Sequence, residues 1–280
     1  MSLIHRSLDL GLNYLDTAPM YGVGQSERRY GLALRGVPRE RYVLSTKVGR
    51  LLLQDAAGAT TWTFDFSRAG ARASFQSSLQ RLGVERVDIV FVHDPDDHYQ
   101  AAVDGAYPVL RELRAEGLIR AIGAGMNQWQ MELAFARHGY SDCFLLAGRY
   151  TLLDQTALPE FLPYCVERGI SVVAGGPYNS GILAVGPREG ATFNYRAATP
   201  DMIDKAARIA AVCERHQVPL KAAALQFILA HPGIASVIPG ARSVAEVEEN
   251  VRMVELPIPG ALWEDLKASV LIAPESPTPA

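Results

Sequence analysis

Short apolar runs alternate with longer amphipathic stretches along this chain. Runs rich in Val, Ile and Leu are typical of parallel strands buried on both faces, and the amphipathic stretches between them are typical of helices. This repeated alternation predicts an α/β fold built from βα units around a parallel sheet. We predict strands near residues 13–18, 42–47, 87–93, 119–125, 143–148, 171–176 and 236–240. We predict helices over residues 4–10, 26–35, 67–82, 105–116, 128–138, 156–168, 200–216 and 243–252.

Composition limits the classes of function. With 280 residues, 49% of them hydrophobic, the chain can bury a sizeable core, and we predict a single domain over residues 1–280. The Pro-rich end, residues 271–280, is predicted to be a mobile tail. The net charge of −3 and the lack of a basic block argue against a nucleic-acid partner. No segment reaches membrane-spanning length. Cys143, Cys165 and Cys213 lie in apolar surroundings, which favours buried thiols in a reducing cytoplasm over a disulfide framework or a metal site.

Four residues suited to proton transfer stand at or just beyond the ends of predicted strands. Asp16 ends the first strand, Tyr21 follows on the next loop, Lys47 ends the second strand and His93 the third. Because the carboxyl ends of parallel strands form one face of an α/β protein, these side chains can meet there. An adjacent ammonium lowers the pKa of a phenol, and we predict that Lys47 does this for Tyr21. Asp16 is the expected counter-charge for Lys47, and His93 is expected to hold the substrate oxygen.

Each of these residues also has a purely structural interpretation. Asp16 could cap a turn, Tyr21 could be a loop aromatic, Lys47 could be a solvated strand end and His93 could be a hydrogen-bonded core histidine. Four such residues in this order, each at the end of a strand-like run, favour one shared site over four separate structural roles.

At these positions the sequence resembles the aldo-keto reductases. The resemblance rests on residues 11–22 (GLNYLDTAPMYG), 45–47 (STK) and 92–93 (VH), and it continues to about residue 255. It implies a (β/α)8 TIM barrel that performs nicotinamide-dependent redox chemistry on carbonyl or alcohol groups. The four residues above would then be the catalytic tetrad.

The start of the chain departs from the family pattern. The family normally begins with a strand, whereas this chain opens in a helix-like stretch over residues 4–10, so we expect the first barrel strand to be absent and seven strands to remain. Within the family, residues 45–50, 93–98 and 125–129 are similar to the branch of D-threo-aldose 1-dehydrogenases, L-fucose dehydrogenases and pyridoxal 4-dehydrogenases.

The cofactor residues are expected in loops after strands. No Gly-x-Gly-x-x-Gly motif follows a predicted strand, so a Rossmann dinucleotide site is not expected. Residues 237–250 combine a strand, a small-residue turn and a helix whose first N–H groups can bind a phosphate. This segment matches the family's adenosine-binding stretch, and residues 177–183 resemble the loop that crosses the pyrophosphate, although a plain turn is the alternative. The expected cofactor-binding residues are Asn127, Ser180, Gly181, Ile238, Gly240, Ala241, Arg242, Glu246 and Asn250.

Two positions bear on the choice of nicotinamide. The resemblance places Gly240 and Glu246 where NADPH-preferring relatives carry basic side chains, and a carboxylate repels a 2′-phosphate but accepts from a ribose hydroxyl. NAD is therefore expected, while Arg242 keeps NADP possible because a guanidinium can pair with phosphate. Arg242 and Glu246 could instead form an exposed (i, i+4) surface pair. Of the three residues that usually hold the nicotinamide carboxamide, only Asn127 is kept, and it could also cap a helix.

The substrate is expected to be a small polyol. Trp62, Asp94, Gln128 and Arg149 combine an apolar platform with hydrogen-bonding groups, and each buried hydroxyl of a sugar needs a partner. The alternatives are that Trp62 packs in the core or in a lid and that Arg149 serves a structural ion pair.

The expected reaction is oxidation of the anomeric hydroxyl of an aldose such as L-fucose to a lactone, with Tyr21 as the general acid/base. Two other activities remain open, a pyridoxal 4-dehydrogenase-like oxidation and a general NADPH-dependent aldehyde reduction. A nonenzymatic nicotinamide-binding subunit is the alternative of a different class, and the intact tetrad argues against it.

Overall fold

The computed structural model describes residues 2–54 and 58–279. Met1 and Ala280, at the two ends of the predicted domain, lie outside the described residues. The chain divides into two compact units, Met1–Leu145 and Leu146–Ala280.

The first unit follows the predicted alternation of strands and helices. Its helices are α1 (Ser2–Asp9), α2 (Gln25–Ala33), α3 (Arg68–Leu82), α4 (Tyr99–Ala101), α5 (Tyr107–Ala115) and α6 (Trp129–His138). Its strands are β1 (Tyr14–Asp16), β2 (Val43–Val48), β3 (Arg50–Gln54), β4 (Thr60–Phe64), β5 (Ile89–His93), β6 (Ala121–Met126) and β7 (Cys143–Ala147), the last of which runs on into the second unit. A π-helical turn over Ala102–Ala106 joins α4 to α5, so the helix predicted from residue 105 begins earlier.

Five of these strands form a parallel sheet in the order β1, β2, β5, β6, β7. The register places Asp16 of β1 beside Ser45 of β2, and Lys47 of β2 beside Phe91 of β5. Val90, Phe91 and Val92 have no exposed surface, as expected for a parallel strand covered on both faces. Because the strands are parallel and in step, their carboxyl ends bring the predicted polar residues to one edge.

Strands β3 and β4 form a two-stranded antiparallel sheet that the sequence analysis did not predict. We call these two strands, residues 50–54 and 60–64, the ribbon. Its register pairs Arg50 with Phe64 and Leu52 with Trp62. The ribbon follows β2 after Gly49, whose φ of +101° lies in the left-handed region that favours glycine.

The second unit contains two strands and six helices among its described residues, together with a short hairpin. The helices are α7 (Phe161–Arg168), α8 (Ile182–Val185), α9 (Pro200–Arg215), α10 (Leu220–Leu229), α11 (Val244–Glu255) and α12 (Gly260–Ala268). The strands are β8 (Ser171–Gly175) and β11 (Ile234–Ile238), which pair in parallel, and the antiparallel hairpin is β9 (Thr192–Phe193) with β10 (Arg196–Ala197).

Three sequence expectations for the second unit were wrong. Helix α7 begins at Phe161 instead of residue 156, because residues 157–160 form turns. Helices α10 and α12 were not predicted; α10 is apolar on most sides and lacks the polar face of a surface helix. The expected mobile tail is held in place at Leu271, Ile272 and Ser276, which are all buried.

The three cysteines are buried free thiols. Over residues 2–54 and 58–279, the structure contains no helix with the length and apolar character needed to cross a membrane. Within the same ranges there is no cluster of His, Cys, Asp and Glu side chains that could hold a metal ion.

Candidate active site

A buried ion pair joins the ends of β1 and β2. Lys47 Nζ lies 2.6 Å from Asp16 Oδ2, and the two side chains are only 1% and 6% exposed. The ammonium also donates to the carbonyl oxygen of Thr17 at 2.9 Å. The other Asp16 oxygen accepts a hydrogen bond of 2.6 Å from Ser45 Oγ. The structure therefore brings Asp16 and Lys47 together as predicted and surrounds both with partners.

The pair is supported by residues that the sequence analysis did not assign to the site. Tyr14 OH lies 2.9 Å from Ser45 Oγ, which extends the hydrogen-bond chain from Asp16 along β1. Ser45 stands beside Asp16 in the strand register, and this pairing depends on how β1 and β2 align. The sequence offered one signal for Ser45: it lies two residues before Lys47 on the same predicted strand, so the two side chains face the same side of the sheet.

Tyr21 lies over the ammonium of this pair. Lys47 Nζ is 4.6 Å from the centroid of the Tyr21 ring. Burial by itself lowers the pKa of Lys47, but the charges of Asp16 and Tyr21 outweigh it and raise the pKa, so Lys47 remains an ammonium. Lys47 lowers the pKa of Tyr21, as predicted. Although Tyr21 is 41% exposed, desolvation of the phenolate by the surrounding protein outweighs this effect, and Asp16 adds to it, so the net shift of the Tyr21 pKa is upward.

His93 completes the group of four. Its ring packs edge-on against Tyr21, with 5.8 Å between the ring centroids. The pKa of His93 lies well below its usual value, first because of burial and then because Lys47 and Arg50 disfavour a further positive charge. The imidazole is therefore neutral at neutral pH and can donate a hydrogen bond to a substrate oxygen from one ring nitrogen.

Asp94 and Gln128, two predicted substrate residues, line one cavity beside His93. The cavity has a volume of about 230 Å³ and is polar over most of its wall. Gln128 Nε2 donates to Asp96 Oδ2 at 2.8 Å, and Asp94 forms an ion pair with Arg50. The sequence analysis assigned no role to Arg50 or Asp96. The lining residues are Arg50, Phe64, Asp94, Asp96, Asp97, His98, Asn127 and Gln128.

Trp62 lies on the ribbon and is 36% exposed, so it is neither a core residue nor fully free. The centroid of its ring is 4.6 Å from Arg50 Cζ. Arg50 therefore contacts both Trp62 and Asp94, and Trp62 lies near Asp94 without a direct contact being needed.

Arg149 and its neighbour Tyr150 serve the second unit's own structure. Arg149 Nη1 donates to Asn194 Oδ1 at 2.7 Å, and the guanidinium lies 3.7 Å from Asp154. Tyr150 is 2% exposed and stacks on Phe227 with 5.1 Å between ring centroids. The contacts of Arg149 are thus those expected if it serves a structural ion pair. Tyr150 is a core residue.

The predicted phosphate loop contains an exposed stretch of backbone. Ser180 has a φ of 59°, and its Oγ accepts a hydrogen bond of 3.0 Å from the amide of Tyr195. Gly181 has a φ of 100°, and a Cβ built there would meet no atom within 4 Å. The backbone at Gly181 is therefore open to a close-approaching group such as a pyrophosphate.

The turn before α11 is also open. Ile238 ends β11, and Gly240 and Ala241 form the turn; Gly240 has a φ of 63° and open space around its Cα. Arg242, whose side chain is 93% exposed, lies 3.6 Å from Glu246 as an (i, i+4) pair. Arg242 and Glu246 thus form the exposed (i, i+4) pair that the sequence analysis gave as the alternative to cofactor binding. The turn at Gly240 still leaves room for a nucleotide.

The start of α11 is capped by a residue that the sequence analysis overlooked. Ser243 Oγ accepts from the amide of Glu246 at 3.2 Å, and Glu246 Oε2 accepts from the amide of Arg242 at 2.8 Å. The available signal was a serine at the first position of the helix predicted over residues 243–252, where it serves as the cap instead. Farther along α11, Asn250 Oδ1 accepts a hydrogen bond of 2.7 Å from Tyr178 OH. The donor set of this segment, exposed backbone with Arg242 and Asn250, suits an adenosine phosphate.

Comparison with known proteins agrees with the geometry. The sequence profile of the Aldo/keto reductase family matches residues 1–270. The chain belongs to the aldo/keto reductase family. It is accordingly an NAD(P)-dependent oxidoreductase that acts on CH–OH groups, and its fold is that of the (β/α)8 barrel.

Two curated members of the family are similar over nearly the whole chain. A D-threo-aldose 1-dehydrogenase from a Pseudomonas species is 38% identical over 295 residues, covering 99% of this chain and 88% of that protein. A pyridoxal 4-dehydrogenase from Microbacterium luteolum is 39% identical over 303 residues, covering 97% of this chain and 88% of that protein.

A solved structure of the family shares the fold. The holo form of an aldo-keto reductase from Bacillus halodurans superposes with a TM-score of 0.78 at 31% sequence identity, covering 96% of this chain and 86% of that one. The described residues of this aldo-keto reductase contribute seven parallel strands, as expected from the sequence.

Proposed function

We propose that this aldo-keto reductase oxidises the anomeric hydroxyl of an aldose to a lactone, with Tyr21 as the general acid/base. The observation that carries the proposal is the buried Asp16–Lys47 pair beneath the Tyr21 ring, with His93 at the edge of the same ring. A charged pair whose side chains are 1% and 6% exposed is costly to desolvate and is a weak source of stability. Its position beneath the Tyr21 ring therefore favours a catalytic role over a structural one.

Tyr21 takes the proton of the anomeric hydroxyl as the C1–O bond becomes the lactone carbonyl. Desolvation raises the pKa of Tyr21, so little of the phenol is ionised at neutral pH, and Lys47 opposes that rise. Lys47 can do so only while it is charged, and Asp16 keeps it charged. In the reverse direction the same phenol donates the proton, for which a raised pKa is no obstacle.

His93 orients the reacting oxygen. Because its pKa is low, it remains neutral and donates a hydrogen bond without competing with Tyr21 for the role of acid. The two rings pack edge-on with 5.8 Å between their centroids, so a substrate oxygen bound by His93 would lie close to Tyr21.

NAD, when bound, would accept the hydride that leaves C1 of the sugar. Asn127 is assigned to the carboxamide, and the open backbone at Gly181 is assigned to the pyrophosphate. The adenosine end is assigned to the turn before α11 and to Asn250, with Ser180, Ile238, Ala241 and Arg242 nearby. Glu246 favours NAD over NADP because its carboxylate would repel a 2′-phosphate.

An aldose is the preferred substrate because of the cavity beside His93. Its wall carries carboxylates and amides, which suit a neutral molecule with many hydroxyl groups. The similarity to a D-threo-aldose 1-dehydrogenase supports the same class. We assign substrate contact to Asp94, Gln128 and Trp62, the last of which contacts Arg50 in the cavity wall, and leave Arg149 in its structural role.

A pyridoxal 4-dehydrogenase activity is the second candidate. It is favoured by the similar identity to the pyridoxal enzyme and by Trp62 and Phe64 of the ribbon, which could stack on a flat ring.

The test is formation of reduced nicotinamide from NAD or NADP with L-fucose, D-arabinose, L-galactose or pyridoxal, followed by absorbance. We expect NADH formation with a sugar, and we expect Tyr21→Phe to lower kcat by about 10²–10⁴-fold. Tyr140→Phe is the matched control, since Tyr140 lies in the turn between α6 and β7, at the amino end of the strand. Full activity in Tyr21→Phe would reject the assignment, and turnover of pyridoxal alone would favour the second candidate.

A further inference from the structure

An arginine is held rigidly at the mouth of the candidate active site. Arg50, the first residue of the ribbon, forms an ion pair with Asp94 through Nη2, and its side chain is only 13% exposed. Its Nη1 lies 2.6 Å from Met20 Sδ, and its Nε is buried without a partner among the described residues. A buried guanidinium with an unused donor is costly, which argues against a purely structural ion pair.

Two aromatic rings fix the plane of this guanidinium. Arg50 Cζ is 4.6 Å from the ring centroid of Trp62 and 5.0 Å from that of Phe64. Stacking on aromatic faces suits a planar guanidinium and would not suit an ammonium equally well. Since Trp62 and Phe64 come from the other strand of the ribbon, the ribbon holds Arg50 against Asp94.

Asp94 is placed to act beside His93. Asp94 Oδ2 is 3.7 Å from His93 Nε2, so the two atoms are close enough to contact adjacent oxygens of one bound molecule. The backbone of Asp94 has a φ of 45°, and its amide donates to the carbonyl oxygen of Gly125 at 3.0 Å. Arg50 binds the same oxygen, Oδ2, that faces His93, and the Asp94 side chain is 27% exposed, so the carboxylate is held in place and remains accessible to a ligand.

The geometry points to the Arg50–Asp94 pair as the element that recognises the hydroxyl group on the carbon next to the reacting carbon. This inference rests on the proposed function, in which His93 binds the reacting oxygen. Asp94 accepts the hydrogen bond of the adjacent hydroxyl, and Arg50, clamped by Trp62 and Phe64, is a positioning residue that sets the direction of the carboxylate. The enzyme should therefore prefer 2-hydroxyaldehydes and aldoses over carbonyl compounds that lack this hydroxyl.

The test compares two aldehydes that differ by this one hydroxyl. The kcat/KM for NADH-dependent reduction is measured with lactaldehyde and with propanal, in the wild type and in Asp94→Ala, Asp94→Asn, Arg50→Met and Arg50→Lys. We expect the wild type to favour lactaldehyde by about 10–100-fold, the range for a hydrogen bond to a charged group. The ratio should fall towards one in Asp94→Ala and Arg50→Met, and part of it should return in Asp94→Asn, which keeps an acceptor oxygen.

A matched control removes an arginine from another Arg–Asp pair. Arg114 Nη1 lies 2.8 Å from Asp142 at the surface, and Arg114→Met should leave the ratio unchanged. Equal losses with both aldehydes in Asp94→Ala would overturn the inference, because they would mean that Asp94 only supports His93. A wild-type ratio near one, or no turnover of either aldehyde, would overturn it as well.

Failure of the proposed function is visible separately. If the wild type oxidises no aldose but keeps a preference for lactaldehyde that Asp94→Ala abolishes, the aldose assignment fails while the recognition of the adjacent hydroxyl stands.

Discussion

Removing one or both charges of the Asp16–Lys47 pair should affect stability and activity differently. The perturbation is a set of three variants, Asp16→Asn, Lys47→Met and the double variant. Each single change leaves one buried group without its opposite charge: Lys47 keeps the carbonyl of Thr17 and its contact with Tyr21, and Asp16 keeps the hydroxyl of Ser45. The double variant leaves no buried charge at this position.

The magnitude follows from the burial of both groups. Removing one partner of a buried pair costs about 3–5 kcal/mol, whereas replacing both by neutral groups is often close to neutral. With side chains that are 1% and 6% exposed, solvent offers little compensation, so the full penalty is expected in each single variant. The double variant should be more stable than either single variant, which is a strong coupling between adjacent sites.

The free energy of unfolding is measured by chemical denaturation and compared between variants whose unfolding depends equally steeply on denaturant concentration. The kcat for the preferred sugar is measured alongside. All three variants should lose activity by about 10²-fold or more, because Tyr21 loses the charge that opposes the rise in its pKa. In Asp16→Asn, burial should lower the pKa of Lys47, and the unfolded chain then binds the proton more readily. Stability of this variant should therefore rise as the pH is raised towards the usual lysine value. Losses that simply add in the double variant would refute the reasoning.

Other predictions concern one backbone position and two titrations. Gly49→Ala should destabilise the protein by about 2–4 kcal/mol by denaturation, because φ is +101° and the new Cβ would lie 2.3 Å from the ring of Phe66. Gly117→Ala, with φ +75° and no atom within 4 Å, should cost clearly less, and equal costs would contradict the steric argument. Burial raises the pKa of Glu132 well above its usual value, so the folded state holds a proton that the unfolded state releases above about pH 4.5. Stability conferred by this group is lost as pH rises above the usual glutamate pKa, and over that range Glu132→Gln should gain on the wild type by up to about 1.4 kcal/mol per pH unit; a constant difference would exclude this. Because burial raises the pKa of Tyr21, oxidation should speed up with rising pH over the alkaline range as more phenolate forms, and a flat profile of kcat/KM would argue against Tyr21 as the base.

The strand ends were predictable because two local patterns coincide there. Runs such as residues 87–93 are apolar enough to be read as buried parallel strands, and the first charged or polar residue after the run marks the carboxyl end. Asp16, Lys47 and His93 were found in this way, and the structure places them together at one edge of the sheet. The ribbon was missed because its meaning depends on pairing between β3 and β4, which a short local pattern does not reveal.

The direction of the Tyr21 pKa could not be predicted from neighbouring charges alone. Lys47 does lower it, as expected, but the depth of burial decides the sign of the net shift. Arg149 illustrates the same limit, since nothing near it in sequence indicates that Asn194, 45 positions away, accepts a hydrogen bond from its guanidinium. Burial and contact between distant residues are properties of the packed chain.

The sequence by itself indicated the α/β fold class, because strand periodicity is local and repeats along the chain, and it indicated the family through the resemblance of residues 11–22, 45–47 and 92–93. It also singled out Asp16, Tyr21, Lys47 and His93 as candidate proton-transfer residues, because they stand at or just beyond strand ends. Only the tertiary structure decided which residues share one environment. Arg50 and Asp94 are separated by 44 positions in sequence, and they meet because β2 and β5 pair in parallel register while the ribbon folds back beside them. Ion pairing and desolvation act over a few ångströms of space, a distance that the linear order of residues does not encode.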